Sequence, residues 1–484
     1  MSLFGAVAGA SPPTNFHLNQ AIANVATCNL NQWVLDFKGN RARIIRSIRE
    51  AAARGCKYRI GPELEVPGYS CEDHFYELDT YKFSIRSFEM IVAASPPNII
   101  CDIGMPMIIT GVRYNCRIFY LKNEDNKTRI LLIRPKMWLA DDGNYRESRW
   151  FTPWSKEKLG KDFENFPLTE FSPEFIANEL IPNHGDIPFG IGIIETNDAT
   201  IASETCEELF TPQSPNIMLG LEGVDIITNG SGSHWQIGKY KYRHDLISSA
   251  TKRNGGVYLY SNLLGCEGNR VVFDGNGMIY LNGDCINIGE HLSFADVEVV
   301  SALVNLDHVR AYRESVVSRN LQASQKEIKL PRVKVEFNMT SKADNTLKAI
   351  DTVKYDAPMS KDDINRAAKG LNKRQNEETN TEFYELEEEM ALGISRHLWD
   401  YLCRSQAGGF FLPLSGGVDS SSTAMMVFYM CDKVLSLLKD LRPLPTLVNL
   451  DTLIEEGESY KMKDLILNKL NNIIIRQISA KKKS

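Results

Sequence analysis

TIASETCEEL, residues 200–209, sets a run of strand-forming residues directly against a cysteine and two acids. Thr200 to Thr205 is one of the short strand-like runs that repeat through the chain, and Cys206 then falls at a strand-to-helix junction. Loops at strand ends are where open α/β sheets gather their chemistry. Reading outward, the same rhythm continues on both sides. Upstream lie FGIGIIET (189–196) and the turn Asn197-Asp198; downstream come VDIITN (224–229), a helix around Lys241 to Arg253 ended by Gly255-Gly256, and VYLYSNL (257–263).

The N-terminal part repeats the pattern: NVATCNL (24–30), a helix near Phe37 to Arg54 with Ile44, Ile45, Ile48 and Ala52 on one stripe, then YRIGPE (58–63), NIICDIGMPMII (98–109), RIFYL (117–121) and RILLIRP (129–135). Strands outnumber helices, and the pairs Asp274-Gly275 and Asn282-Gly283 punctuate hairpins. The expected class is α/β, with sheets packed face to face and helices outside.

A chain of 484 residues is too long for one ordinary core and predicts two or three domains. With 43% hydrophobic and 24% charged residues it matches globular proteins, which argues against disordered, collagen-like and membrane classes. A net charge of −6 offers no sequence-independent attraction for nucleic acid or anionic lipid, so small-molecule chemistry is the expectation. The ten cysteines are scattered, without CxxC pairs or zinc spacing, which points to a reducing compartment. MSLFGAVAGASPP lacks the basic segment of a secretion signal and no run reaches membrane-spanning length, so a cytoplasmic protein is expected.

After Phe337 the sequence turns polar, and residues 338–383 read as a linker or insertion between a domain at 20–337 and another at 384–484. The second opens on a helix with Met390, Ile394, Leu398 and Leu402 at four-residue spacing. FFLPL (410–414) reads as a strand, followed by a tight Ser415-Gly416-Gly417 turn and a helix from about Ser420 to Leu438. A weak strand TLVNL (446–450), an amphipathic helix around Leu465 to Ile478 and a basic KKKS tail complete it.

Hydrolysing an amide at neutral pH requires a nucleophile, a group that moves protons and a donor for the developing oxyanion. Cys206, Glu63 in GPELEVPGY (61–69) and Lys136 in IRPKMWL (133–139) offer these, each after a strand. Taken singly, each has an ordinary reading: a cysteine is more often packed in a core, and a Glu or Lys at a strand end is more often a solvated rim charge. What distinguishes them is their joint order and context, which resemble the Glu-Lys-Cys triad of the nitrilase superfamily. That resemblance implies a four-layer αββα sandwich. The run RPKMWLADDGNYRESRWFTPW (134–154) is similar to the superfamily's lysine motif, in which a second glutamate, here Glu147, lies close to the cysteine and lysine.

A closer resemblance is carried by GPELEVPGYSCEDHF (61–75), ICDIGMPMI (100–108), VRYNCRIF (112–119), CEELFTPQSPNIMLGLEGVDIITNGSGSH (206–234) and YRESVVSRNLQAS (312–324). These resemble the amidase half of the eukaryotic glutamine-dependent NAD⁺ synthetase family. The resemblance implies that Cys206 attacks the glutamine carboxamide, releasing ammonia and leaving a γ-glutamyl thioester, while Glu63 shuttles protons. A cation such as Lys136 is expected to favour the thiolate and then stabilise the oxyanion. By position in the same motifs, Tyr69, Glu207 and Ser233 resemble residues lining the glutamine pocket, and Lys239 stands where bacterial relatives place an arginine.

LPLSGGVDSSS (412–422) follows a predicted strand and opens a helix, a ready anion site. It lacks the GK[ST] ending of a Walker A loop and resembles the pyrophosphate loop of ATP pyrophosphatases, which implies the start of a Rossmann-like domain. Pro413, Leu414, Ser415, Gly416, Gly417, Val418, Asp419 and Ser420 would then contact ATP, with Mg²⁺ neutralising the phosphates and no tightly bound cofactor. Ammonia would convert adenylated deamido-NAD into NAD⁺. The family resemblance also implies a homo-oligomer. From about Asp432 the match to the family fades, so the 484-residue chain is expected to hydrolyse glutamine but make little NAD⁺. Two other readings stay open on sequence: a free-standing amidase with another substrate, and a non-synthesising partner of full-length subunits.

Overall fold

The computed structural model describes residues 21–182, 184–268, 271–341, 373–376 and 381–440. Numbered along the chain, the first strands are β1 (Ile22–Leu30), β2 (Tyr58–Ile60), β3 (Ile100–Ile109), β4 (Val112–Lys122), β5 (Thr128–Pro135), β6 (Glu164–Phe166) and β7 (Ile187–Phe189). Then come β8 (Ile193–Glu195), β9 (Thr200–Thr205), β10 (Ile226–Ser231), β11 (Val257–Asn262), β12 (Leu264–Cys266) and β13 (Val272–Asp274). The series continues with β14 (Met278–Leu281), β15 (Asp284–Ile288), β16 (Val297–Asn305), β17 (Arg332–Lys334) and β18 (Thr340–Ser341).

Two sheets result. The first runs β16-β1-β2-β3-β4-β5-β7-β6, with β18 also pairing β1; the second runs β15-β14-β11-β10-β9-β8-β17. Alternation along the strands explains why they stack, since successive side chains leave on opposite faces. Ala23 and Val25 of β1 meet Ile201, Ile226, Leu259 and Ile279 of the second sheet in one shared core, whereas Ala26, Cys28 and Leu30 point the other way. On that outer face they belong with Ile44 and Ile48 of α1 (Phe37–Ala53) and Phe88 of α2 (Leu78–Ala94). Across the molecule, Ile227 and Tyr258 pack outward with Ile247 of a helix at Lys239–Asn254. The four layers are therefore helix, sheet, sheet, helix. Each large aliphatic side chain fully buried between them contributes roughly 1.5–3 kcal/mol.

Several local expectations change. FGIGIIET is not one strand: Phe189 ends β7 in the first sheet and Ile193 begins β8 in the second. Gly190, with φ +147°, and Gly192 carry the chain across, and a Cβ on Gly192 would lie 2.3 Å from the Phe163 ring. Asn282-Gly283 does turn the β14–β15 hairpin, with φ of 51° and 104°. Asp274-Gly275 does not join a hairpin, because β13 pairs back with β12 while β14 pairs with β11 and β15.

In the shorter helices α3 (Pro173–Glu179) and α4 (Pro215–Leu221), proline opens the first turn where no N–H is needed. After α5 (Lys239–Asn254), α6 (Leu306–Ser315) and α7 (Val317–Ser324) the chain reaches a two-stranded ribbon, β19 (Lys373–Asn376) with β20 (Thr381–Tyr384). Two helices end the described part, α8 (Leu386–Arg404) and α9 (Val418–Asp440). The four-residue stripe expected for α8 is only part of its buried face: Leu402 is buried, Ile394 and Leu398 are half-buried and Met390 is 43% exposed, while Glu389, Leu392, Arg396, Trp399 and Asp400 are buried as well. The helix docks on a polar end of the sandwich, so its inward face carries charge. FFLPL forms no strand, and Phe411 is 91% exposed. A strand needs a neighbour to pair with, and none stands beside it among the described residues. TLVNL and the Leu465 to Ile478 helix lie outside the described residues.

Candidate active site

Glu63 leaves β2, Lys136 leaves β5 and Cys206 leaves β9, so an acid and an amine from one sheet come within electrostatic reach of a thiol from the other at the strand ends. The segment carrying Glu63 is propped by Arg117, whose Nε donates to Asp102 Oδ1 at 2.7 Å while its two terminal nitrogens donate to the Gly61 and Pro62 carbonyls, both at 2.8 Å. That guanidinium needs the glycine at 230, where a Cβ would sit 2.0 Å from Arg117 Nη1.

Glu63 is fully buried and fully bonded. Oε1 accepts from Lys136 Nζ at 2.6 Å and from Asn115 Nδ2 at 2.7 Å; Oε2 accepts from the Gly232 backbone N–H at 3.0 Å. Lys136 Nζ also donates to both oxygens of Glu147, at 2.9 and 2.8 Å. Glu147 in turn accepts from Tyr69 Oη at 2.5 Å and Ala140 N at 3.1 Å. Burial opposes a charge on Lys136, yet Glu147 and Glu63 hold it protonated above the ordinary lysine range. Burial pushes the Glu147 carboxyl up to about 7 against the pull of Lys136.

Cys206 adopts the left-handed conformation at φ 43°, and its N–H donates to Asn229 Oδ1 at 2.9 Å. Strained backbone of this kind at a nucleophile is a recurrent feature of functional sites. The thiol is 2% exposed, in surroundings that are charged rather than greasy: burial raises its pKa, Glu63 raises it further and Lys136 lowers it. The net direction is upward. Lys136 does pull towards the thiolate, as expected of a neighbouring cation, but burial and then the Glu63 carboxylate outweigh it.

Around this centre, Glu207 and Lys239 are half-buried. Lys239 Nζ sits 5.7 Å from the Tyr145 ring centre and 5.8 Å from that of Phe210, and burial together with Arg243 lowers its pKa. Ser233 is buried, its N–H on Asn262 Oδ1 at 2.9 Å and its hydroxyl accepting from Arg243 Nη1 at 3.2 Å. Arg243 is paired with buried Asp274. Tyr145 escaped sequence reasoning although it lies inside the lysine motif: it packs edge-on against Tyr69 at 5.9 Å, donates to the Gly232 carbonyl at 3.1 Å and accepts from His234 N at 2.9 Å. Asn115 and Asn229 were missed too, since a strand asparagine carries no signal until its partner across the fold is known.

The second predicted site lies elsewhere. Pro413 to Asp419 is exposed, Gly416 takes φ +87°, and Ser415 Oγ stands 3.2 Å from Ser420 Oγ. Among the described residues, no group of three or more His, Cys, Asp or Glu is placed to hold a metal ion, and no helix is long and apolar enough to cross a membrane.

A Glu-Lys-Cys centre seated between two sheets at their strand ends defines an amide-cleaving class, and the chain belongs to the carbon-nitrogen hydrolase family, whose sequence profile matches residues 24–314. It is 45% identical to the glutamine-dependent NAD(+) synthetase of Saccharomyces cerevisiae over 85% of this chain and 52% of that protein. Against the human glutamine-dependent NAD(+) synthetase the figures are the same, 45%, 85% and 52%. The crystal structure of a glutamine-dependent NAD(+) synthetase from Cytophaga hutchinsonii superimposes with a TM-score of 0.60 at 25% identity, covering 86% of this chain and 52% of that one. The chain thus spans about half the length of the relatives it matches.

Proposed function

We propose that this chain carries the glutamine-hydrolysing half of a glutamine-dependent NAD⁺ synthetase, a ligase that uses glutamine as its nitrogen donor. The observation that carries the reading is the buried Lys136 bridge between Glu63 and Glu147, at 2.6 and 2.8 Å, beside the Cys206 thiol. Cys206 Sγ attacks the side-chain carboxamide carbon as its proton passes to Glu63. Lys136 stabilises the negative charge that develops on the carboxamide oxygen. Collapse of the tetrahedral adduct expels ammonia, with Glu63 returning the proton to the leaving nitrogen, and leaves a γ-glutamyl thioester. Water then attacks the thioester, giving up its proton to Glu63, and glutamate leaves with the free thiol restored.

Glu207 and Lys239 supply one negative and one positive charge for the α-amino and α-carboxylate groups of glutamine, with Tyr69, Tyr145 and Ser233 lining the pocket. Residues 20–337 form this domain, 338–383 connect it, and 384–484 belong to the synthetase part. There the exposed loop Pro413 to Ser420 contacts the phosphates of ATP, accompanied by Mg²⁺, for amidation of deamido-NAD. The protein works in the cytoplasm as a homo-oligomer.

Glutamate release measured on wild type and Cys206→Ala tests the reading. The substitution is expected to abolish release, a loss of at least ~10³-fold, because the covalent route disappears. Undiminished release by Cys206→Ala sinks it. Hydrolysis of simple amides but not of glutamine sinks the substrate assignment alone.

A further inference from the structure

We propose that Glu208 is a positioning residue: its carboxylate sets the separation between the nucleophile and the cation, with Arg134 as counter-charge. The inference rests on the amide-hydrolysis reading and adds a residue to it. Glu208 is fully buried. Its Oε2 accepts the Thr205 backbone N–H at 2.6 Å, and its Oε1 accepts the Met137 N–H at 2.5 Å and Arg134 Nη1 at 3.0 Å. Arg134 Nη2 lies 2.7 Å from Oε2.

Thr205 immediately precedes Cys206, and Met137 immediately follows Lys136. β9 and β5 belong to different sheets, so no ladder hydrogen bond relates them. One carboxylate, gripping a backbone N–H on each, ties the two strand ends together. The cap is closed reciprocally, because the Thr205 hydroxyl accepts from the Glu208 N–H and also from Arg134 Nη1 at 3.3 Å. This closed turn holds Cys206 at its left-handed φ of 43°. The two adjacent acids divide the work: Glu207 is half-buried at the pocket rim, whereas Glu208 points back into the frame. The Glu208 carboxylate bonds only to Thr205, Met137, Trp138 and Arg134 among the described residues, so it acts on Cys206 and Lys136 through their neighbours in the chain.

Glu208→Gln turns one acceptor into a donor facing Thr205 N–H but leaves Arg134 buried without a counter-charge, so the informative variant is the double substitution Arg134→Met/Glu208→Gln, which removes both charges. It is expected to keep a cooperative melting transition and to lower kcat for glutamine about 100-fold with KM within about threefold, the scale set by a displacement of about 1 Å at reacting groups. A folded double variant with wild-type kcat overturns the proposal. Alkylation of Cys206 by iodoacetamide, followed on the Cys206 peptide, reads the same geometry without assuming a substrate. As Lys136 moves away from the thiol, the pH at which alkylation turns on is expected to rise, and an unchanged profile overturns the proposal even where activity has fallen. Should the double variant fail to fold, Thr205→Val removes only the hydroxyl leg of the cap, with about a tenfold fall in kcat expected and an unchanged kcat counting against the proposal. Wild type that alkylates at Cys206 but spares glutamine removes the substrate assignment and leaves the positioning role standing.

Discussion

Glu147 shows how one side chain can be required by charge yet penalised by it. Burial drives its carboxyl to about 7, well above the ordinary glutamate value of 4.5, while Lys136 pulls the other way. A folded-state pKa above the unfolded one means that the stabilising contribution is present below about 4.5 and is lost as pH rises through 7. Glu147→Gln is therefore expected to flatten the pH dependence of stability between those values, by on the order of 3 kcal/mol, in denaturant titrations at several pH values. The kcat/KM profile should also lose an ionisation near 7 in that variant. Retention of both features would show that another group titrates. Of the residues involved, Glu63, Lys136, Glu147 and Cys206 were legible in the sequence because each sits in a distinctive string. Tyr145 and Asn229 were not, because an aromatic or amide side chain gains meaning only from what it touches.

The element that most changes meaning is α8. Its apolar spacing suggested an ordinary amphipathic helix of the second domain, but its inward face is built on charged side chains hydrogen-bonded to the sandwich. Asp400 accepts from Arg396 Nε at 2.8 Å, from the Cys266 N–H at 2.8 Å and from Asn31 Nδ2 at 3.2 Å. Arg404 Nη1 donates to the Gln32 carbonyl at 2.7 Å and Nη2 to that of Asn31 at 2.8 Å. Nearer its start, Glu389 accepts from Trp235 Nε1 and Gly238 N, both at 2.9 Å. Removing one member of a buried pair leaves an uncompensated charge and costs about 3–5 kcal/mol. Asp400→Ala is accordingly expected to loosen α8 from the sandwich, which hydrogen exchange reads as lost protection of the Leu386–Arg404 amides with the β9–β11 amides unchanged. Protection of α8 equal to wild type would mean that Trp399 and Leu402 alone hold it.

At the scale of the whole molecule, a complete two-sheet sandwich stands beside a phosphate-type loop that lies exposed, with Leu414 66% and Val418 80% accessible. A nucleotide site draws its strength from convergent walls, and among the described residues no strand pairs with FFLPL to build one. The sequence alone determined the α/β class, the positions of β1 to β5 and of β9 to β11, and the three chemical groups. The strands follow from side-chain periodicity and turn residues, whereas the three chemical groups stood out through the resemblance of their strings to the nitrilase superfamily. Only the tertiary structure decided that FGIGIIET divides between two sheets, that α8 docks with charged side chains inward, that no described strand pairs with FFLPL and that burial pushes the Cys206 thiol's pKa up. Each of these depends on groups distant in the chain, a pairing partner, a counter-ion or a desolvating wall, and no local pattern specifies where such a partner will stand.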